Sequence, residues 1–235
     1  MARRRHRGAR LIGWLVVVVA LLVAADYGAR AYAENLAATQ IRKQGFPRKP
    51  HVAIAGFPFL TQAIARHFGQ VTITSSDIPA GPVTITRMKV IADDVRMNAS
   101  YNGGTAGPLH GTLFISLGEV GRALSAAGPL ASLIAGSGGL KIASAGGNEI
   151  RGSLSLAGGA VSWTATWKVV TVPPHEVDLR LVAGSGLPAV VRGAVQNIRL
   201  TLPALPAGLR LTGGLNSSST GITANVYAAS LSFGS

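Results

Sequence analysis

The sequence predicts an α+β fold: an elongated, strongly curved, mainly antiparallel β-sheet around a few short helices, preceded by an N-terminal membrane helix. Three observations carry this. Hydrophobic residues make up 48% of the chain, mostly Ala, Val and Leu, while 13% is charged and Gly reaches 30 of 235 residues. That mixture suits curved β-structure rich in turns and is too apolar for a disordered chain. The second observation is alternation: Val161, Trp163, Ala165, Trp167 and Val169 share one face of an extended run, and Ser162, Thr164, Thr166 and Lys168 share the other. The third is the N-terminus, where a basic cluster precedes an unbroken apolar stretch.

Residues 1–10 read MARRRHRGAR and residues 11–25 read LIGWLVVVVALLVAA. Positive charge followed by an apolar run is the pattern of an export signal. The run is long for a cleaved signal and short for a spanning helix, unless Gly8–Arg10 is included with Arg10 snorkelling. Small residues stand at two cleavage motifs, Val23-Ala24-Ala25 and Ala31-Tyr32-Ala33. Residues 1–33 therefore read as a signal anchor, with a cleaved signal peptide and a secreted form as the alternative. The basic flank stays inside, so the bulk of the chain is expected on the extracytoplasmic, periplasmic side of the plasma membrane. Residues 34–235 read as one domain.

Along that domain, Ala33–Gln44 has helical spacing and is stopped by Gly45 and Pro47. A strand is expected at His51–Ala55, and a brief helix capped by Thr61 reaches His67. Val71–Ser75 alternates. Val83–Ala92 starts with Val83 and Ile85 on one face and ends with Met88 and Val90 on the other, which predicts a bulge or sharp bend. A loop is expected at Ser100–Pro108, a strand at Gly111–Ser116, and one or two buried helices within Leu117–Ile134. Strands follow at Ala160–Val172, Val177–Leu181 and Ile198–Leu202, with a helix at Leu187–Asn197 between the last two. Closing strands fit Gly208–Thr212 and Ile222–Phe233.

Composition also excludes. Cysteine is absent, so there are no disulfides, thiolate metal sites or cysteine nucleophiles. Net charge is +13, yet five arginines lie in the first ten residues, and from Glu34 onward 16 basic and 8 acidic residues leave a scattered +8. A nucleic-acid interface would concentrate that charge beside exposed aromatics, whereas a mildly basic surface suits anionic lipid headgroups. No nucleophile elbow, P-loop or strand-linked dinucleotide fingerprint occurs. His51, His67, His110 and His175 lack metal-ligand spacing, and Asp93-Asp94 is the one adjacent acidic pair. No catalytic residue, metal or cofactor is expected.

The run Gly56-Phe57-Pro58-Phe59-Leu60, followed by Val71-Thr72-Ile73-Thr74, and the tail Leu205-Pro206-Ala207-Gly208-Leu209-Arg210-Leu211 resemble the actinobacterial LmeA family of phospholipid-binding cell-envelope proteins. The resemblance implies a membrane-associated, barrel-like fold of the tubular lipid-binding type with an apolar interior. It further implies binding of phosphatidylinositol-like phospholipid and support of lipomannan-type lipoglycan synthesis, with envelope mannosyltransferases as partners. From the residues alone, the long apolar faces could enclose an acyl chain or pack on each other as a dry core. Candidate cavity residues are Phe57, Phe59, Phe114, Val161, Trp163 and Trp167. Candidate headgroup residues are Arg87, Lys89, Lys168 and Arg180. A membrane-anchored scaffold for envelope glycosyltransferases, without a lipid cavity, is the alternative function.

A reporter active only outside the cytoplasm, fused after Ser235, should be active on the full chain and silent when residues 1–33 are deleted. Equal activity of the two fusions would exclude export through the N-terminal segment.

Overall fold

The computed structural model describes residues 5–43, 46–81, 83–126, 140–156, 161–172, 176–187, 189–201 and 208–234. Thirteen strands and four helices are described, and every strand pair is antiparallel. The strands divide between two open sheets rather than one continuous curve, and neither sheet closes on itself among the described residues.

The first sheet holds β1 (His51–Ile54), β2 (His67–Ala80), β3 (Val83–Met97), β5 (Leu109–Ser116), β12 (Gly221–Ala228) and β11 (Arg210–Ser217), in that spatial order. On its flank β4 (Gly103–Ala106) joins β3 to β13 (Leu231–Gly234). The second sheet runs β10 (Asn197–Thr201), β9 (Glu176–Ser185), β8 (Val161–Val172), β7 (Glu149–Leu156), β6 (Lys141–Gly146). The helices are α1 (Arg5–Lys43), α2 (Phe59–Ala65), α3 (Leu117–Ala126) and α4 (Ala189–Val195).

Alternation places the core. Ile85, Met88, Val90 and Leu113 from the first sheet are buried with Ile150, Leu154, Trp163, Trp167, Val169 and Leu179 from the second. The parity switch expected in β3 is present: Val83 and Ile85 are buried, then Met88, Val90 and Ala92. Its partner β2 switches at the same level, from Ser75 to Ile78, across Asp77 with φ +54°. The two strands keep one register throughout, so the hairpin turns its inner face over as a unit. In the second sheet, Trp167 lies across Gly152, where an added Cβ would come within 2.6 Å of the indole. Its Nε1–H donates to the Val195 carbonyl at 2.8 Å, which ties α4 to β8.

The sheets are joined along β11. Ser217 N–H donates to the Gly147 carbonyl at 2.6 Å, Ser217 Oγ to the Glu149 carbonyl at 2.7 Å, and Thr171 Oγ1 to the Gly213 carbonyl at 2.8 Å. The register of β11 on β12 slips between Thr212 and Asn216, at Gly213 with φ +72°. This bulge bends β11 toward the second sheet.

Several boundaries differ from the sequence reading. The helix expected at 33–44 is the outer part of α1, which runs unbroken through residue 33. The second helix starts at Phe59 after Pro58, and Thr61 donates back to the Pro58 carbonyl from inside it. The expected loop 100–108 contains β4, and the closing run 222–233 divides into β12 and β13. The hairpin β6–β7 falls where the sequence offers Ser, Gly and Ala with little β-branching. Of Leu117–Ile134, the part beyond Ala126 lies outside the described residues, as do Leu202 and the tail before Gly208.

Gly152→Ala should lower thermal stability, because the methyl meets the fixed indole of Trp167 and overpacking costs about 1–3 kcal/mol. A melting temperature unchanged from wild type would show that Trp167 can shift freely.

Candidate functional site

The inner faces of the two sheets meet in a space lined wholly by apolar side chains. Leu113 and Ile115 of β5, Ile222 and Ala224 of β12, and Leu211 of β11 face Val169 and Leu179 across it. The cavity volume is about 50 Å³. Ligand pockets occupy about 300–1,000 Å³, so in this state the sheets are nearly in contact. Val120 of α3 closes one side of this space, and Ala123 and Leu124 beside it are fully buried.

On the other flank of α3 lies a groove of about 520 Å³, whose described walls are Leu117, Gly121 and Ser125 of the helix, Leu140, and Lys141 and Ile142 of β6. Arg122 and Lys141 bring two cations to it. Arg122 is 75% exposed and pairs through one guanidinium nitrogen with the mostly buried Glu119 carboxylate at 2.5 Å, which leaves its other N–H donors for an anion. The helix therefore separates an apolar interior from a groove lined by both apolar and basic side chains. Sequence reasoning passed over both cations. Arg122 sits one turn after Glu119 in a helix read as buried, and Lys141 begins an unassigned strand. The helical period of Val120, Ala123 and Leu124 was the available signal, because it turns Arg122 outward.

The candidate cavity residues are dispersed. Trp163 and Trp167 share the inner face of β8 and are fully buried. Phe59 is buried at the far end of the first sheet, stacked on Phe68 at 5.9 Å. Phe57 is 61% exposed and stacks on Tyr27 at 6.2 Å. Phe114 is half-buried on the face of β5 opposite to Leu113, where it covers Gly221. Val161 begins β8, and its side chain lies outside the described residues.

The candidate headgroup cations fall into two pairs. Arg87 and Lys89 are exposed on β3, on the face opposite to Met88 and Val90. Lys168 and Arg180 are exposed and stand directly opposite each other on β8 and β9. Arg180 lies 3.6 Å from Asp178, a carboxylate shared with Arg199 at 3.2 Å. The two pairs thus belong to different sheets.

Among the described residues, no group of three or more His, Asp or Glu is placed to hold a metal ion. Among the described residues, the one carboxyl with a shifted titration is in a polar cluster at the α2 end of the first sheet. There the Arg96 guanidinium, 3.2 Å from Asp94, holds that carboxyl below its usual range, with His67 at 2.6 Å adding to the effect.

No curated protein and no solved structure matches the chain. A family model does: the one describing LmeA-like phospholipid-binding proteins matches residues 24–226, which takes in the outer half of α1 and nearly all of both sheets. The chain belongs to the LmeA-like phospholipid-binding family.

Proposed function

We propose that this chain is a non-catalytic cell-envelope protein that binds a phospholipid, anionic and phosphatidylinositol-like, with its acyl chains between the two sheets. In this reading α1 is the signal anchor that holds the domain on the extracytoplasmic side of the plasma membrane. The single observation that supports it best is the wholly apolar lining of the inter-sheet space in a member of a phospholipid-binding family.

The sheets are tied through β11, so tails would enter by parting them elsewhere, converting the sandwich into a barrel-like, tubular sleeve. Separation costs the contacts between inner faces. Each methylene taken from water offsets this by about 0.8 kcal/mol, so a tail of about a dozen carbons contributes roughly 10 kcal/mol. Moving α3 outward would open the interior into the groove, and an anionic headgroup would then meet Arg122 and Lys141. Arg87 and Lys89, or Lys168 and Arg180, are the other cation pairs to test. Support of lipomannan-type lipoglycan synthesis, with envelope mannosyltransferases as partners, extends the same reading.

The second reading is a membrane-anchored scaffold without a lipid cavity. It is favoured by the small volume between the sheets and by the satisfied indole N–H of Trp167.

The full chain carrying Trp14→Phe keeps only Trp163 and Trp167. Reconstituted with phospholipid brominated along its tails, it should lose much of its tryptophan fluorescence relative to unbrominated lipid. Equal spectra would favour the dry scaffold. Arg122→Gln with Lys141→Gln should then weaken anionic lipid relative to zwitterionic lipid, by about 1–3 kcal/mol for a charge-assisted contact. The same loss on changing Arg87 and Lys89 instead would move the headgroup to the outer face of the first sheet.

A further inference from the structure

The apolar run of the N-terminus, residues 11–25, is too short to cross a bilayer unaided. Beyond it, the next charged residue after Asp26 is Arg30. Asp26 does not face water. It is 4% exposed, its Oδ2 accepts the Phe59 N–H at 2.8 Å, and its Oδ1 accepts the Leu60 N–H at 2.7 Å. Both carboxylate oxygens are thereby bonded to the first turn of α2. With Asp26 satisfied by protein, the stretch between Arg10 and Arg30 is residues 11–29 of one unbroken helix, about 29 Å at 1.5 Å per residue. That matches the roughly 30 Å hydrocarbon thickness of a bilayer.

The same two hydrogen bonds fix what lies beside the helix at that level. Farther along α1, Glu34 accepts the Ile54 N–H at 2.8 Å, and Asn35 accepts from Lys49. Partner numbers fall as α1 advances, so the segment 49–60 runs back along the helix and α2 is the part nearest the apolar run. Around it the protein exposes a contiguous apolar set: Tyr27 at 59%, Phe57 at 61%, Leu60 at 38% and Ile64 at 80%. Tyr27 and Phe57 are stacked, so the patch bridges α1 and the loop before α2. Arg66, exposed in the αL conformation that ends α2, borders it. Aromatic and aliphatic side chains rimmed by a cation are what the boundary between acyl chains and headgroups accommodates.

We propose that Tyr27, Phe57, Leu60 and Ile64 form a second membrane contact, seated in the outer leaflet of the bilayer that α1 crosses. The domain then stands on the membrane through α2 instead of swinging on a tether. This rests on the reading of α1 as an inserted anchor, and continuity with the exposed apolar surface of α1, Trp14 to Leu22, argues for lipid as the occupant.

The chain has no cysteine, so single labels can be placed on the full protein. A fluorophore is attached at Val17→Cys in the span, at Ile64→Cys in the patch, or at Thr112→Cys on an exposed position of β5. Thr112 aligns through Lys89 with Thr74, about 23 Å along β2 from the α2 end. In vesicles of phosphatidylcholine and phosphatidylglycerol, tail-brominated lipid should quench the labels at 17 and 64 and spare 112. Aqueous iodide should quench 112 severalfold more strongly than 64. If the label at 64 behaves like that at 112 while 17 is quenched by lipid, the contact is overturned and the anchor stands. If 17 also escapes lipid quenching, both fall. A label at 64 shielded from iodide yet untouched by brominated lipid marks a protein partner, such as a second copy, and overturns the proposal.

Discussion

Two open sheets bury their inner faces on each other, and nearly every other feature of the domain follows from that contact. Neither sheet is stable alone, because each presents one apolar face whose exposure would cost about 25 cal/mol for every square ångström. The contact concentrates Leu113, Leu211 and Ile222 from one side and Val169, Leu179 and Trp167 from the other, with α3 and α4 covering flanks the strands leave open. In a chain without cysteine, this apolar surface carries the stabilisation that disulfides supply elsewhere. The same surface is suited to acyl chains, since methylenes and aliphatic side chains are chemically alike. In the proposed function, packing and lipid uptake would therefore compete for one interface.

The connection through β11 makes that competition directional. Hydrogen bonds from Ser217 and Thr171 hold the sheets together along this strand, and the Gly213 bulge allows β11 to lean across. The flank under α3 has no comparable polar tie to the second sheet among the described residues, being held by Val120, Ala123 and Leu124. Apolar contacts are non-directional and re-form with a new partner at little cost, whereas the hydrogen bonds along β11 do not. A lipid entering under α3 would replace like with like, and the basic groove with Arg122 and Lys141 lies at that point.

The N-terminal helix, long and apolar enough to cross a membrane, also belongs to this architecture. It covers the edge strand β1, whose Ile54 N–H it satisfies through Glu34, and its own Ala38 is buried. An uncovered edge would offer a template for aggregation, so the helix protects the sheet it covers. Asp26 extends the same logic to α2, whose first N–H groups would otherwise lack partners.

The sequence by itself determined the local structure and the class of surface. Period-two alternation in β8, β9 and β10, the helical spacing near Ala33 and the parity switch in β3 could be read because each depends on neighbours a few residues apart. The basic-then-apolar N-terminus and the Gly-Phe-Pro-Phe-Leu run were legible for the same reason, and they pointed to the family. Only the tertiary structure decided how faces were assigned to partners. It divided the strands between two sheets, sent Phe114 outward beside Arg87 while Trp163 and Trp167 turned inward, and separated Arg87 and Lys89 from Lys168 and Arg180. It brought Asp26 to residues 59 and 60 across more than thirty positions of chain. Pairings at such separations are chosen by the burial they jointly achieve, and no short window of sequence contains that information.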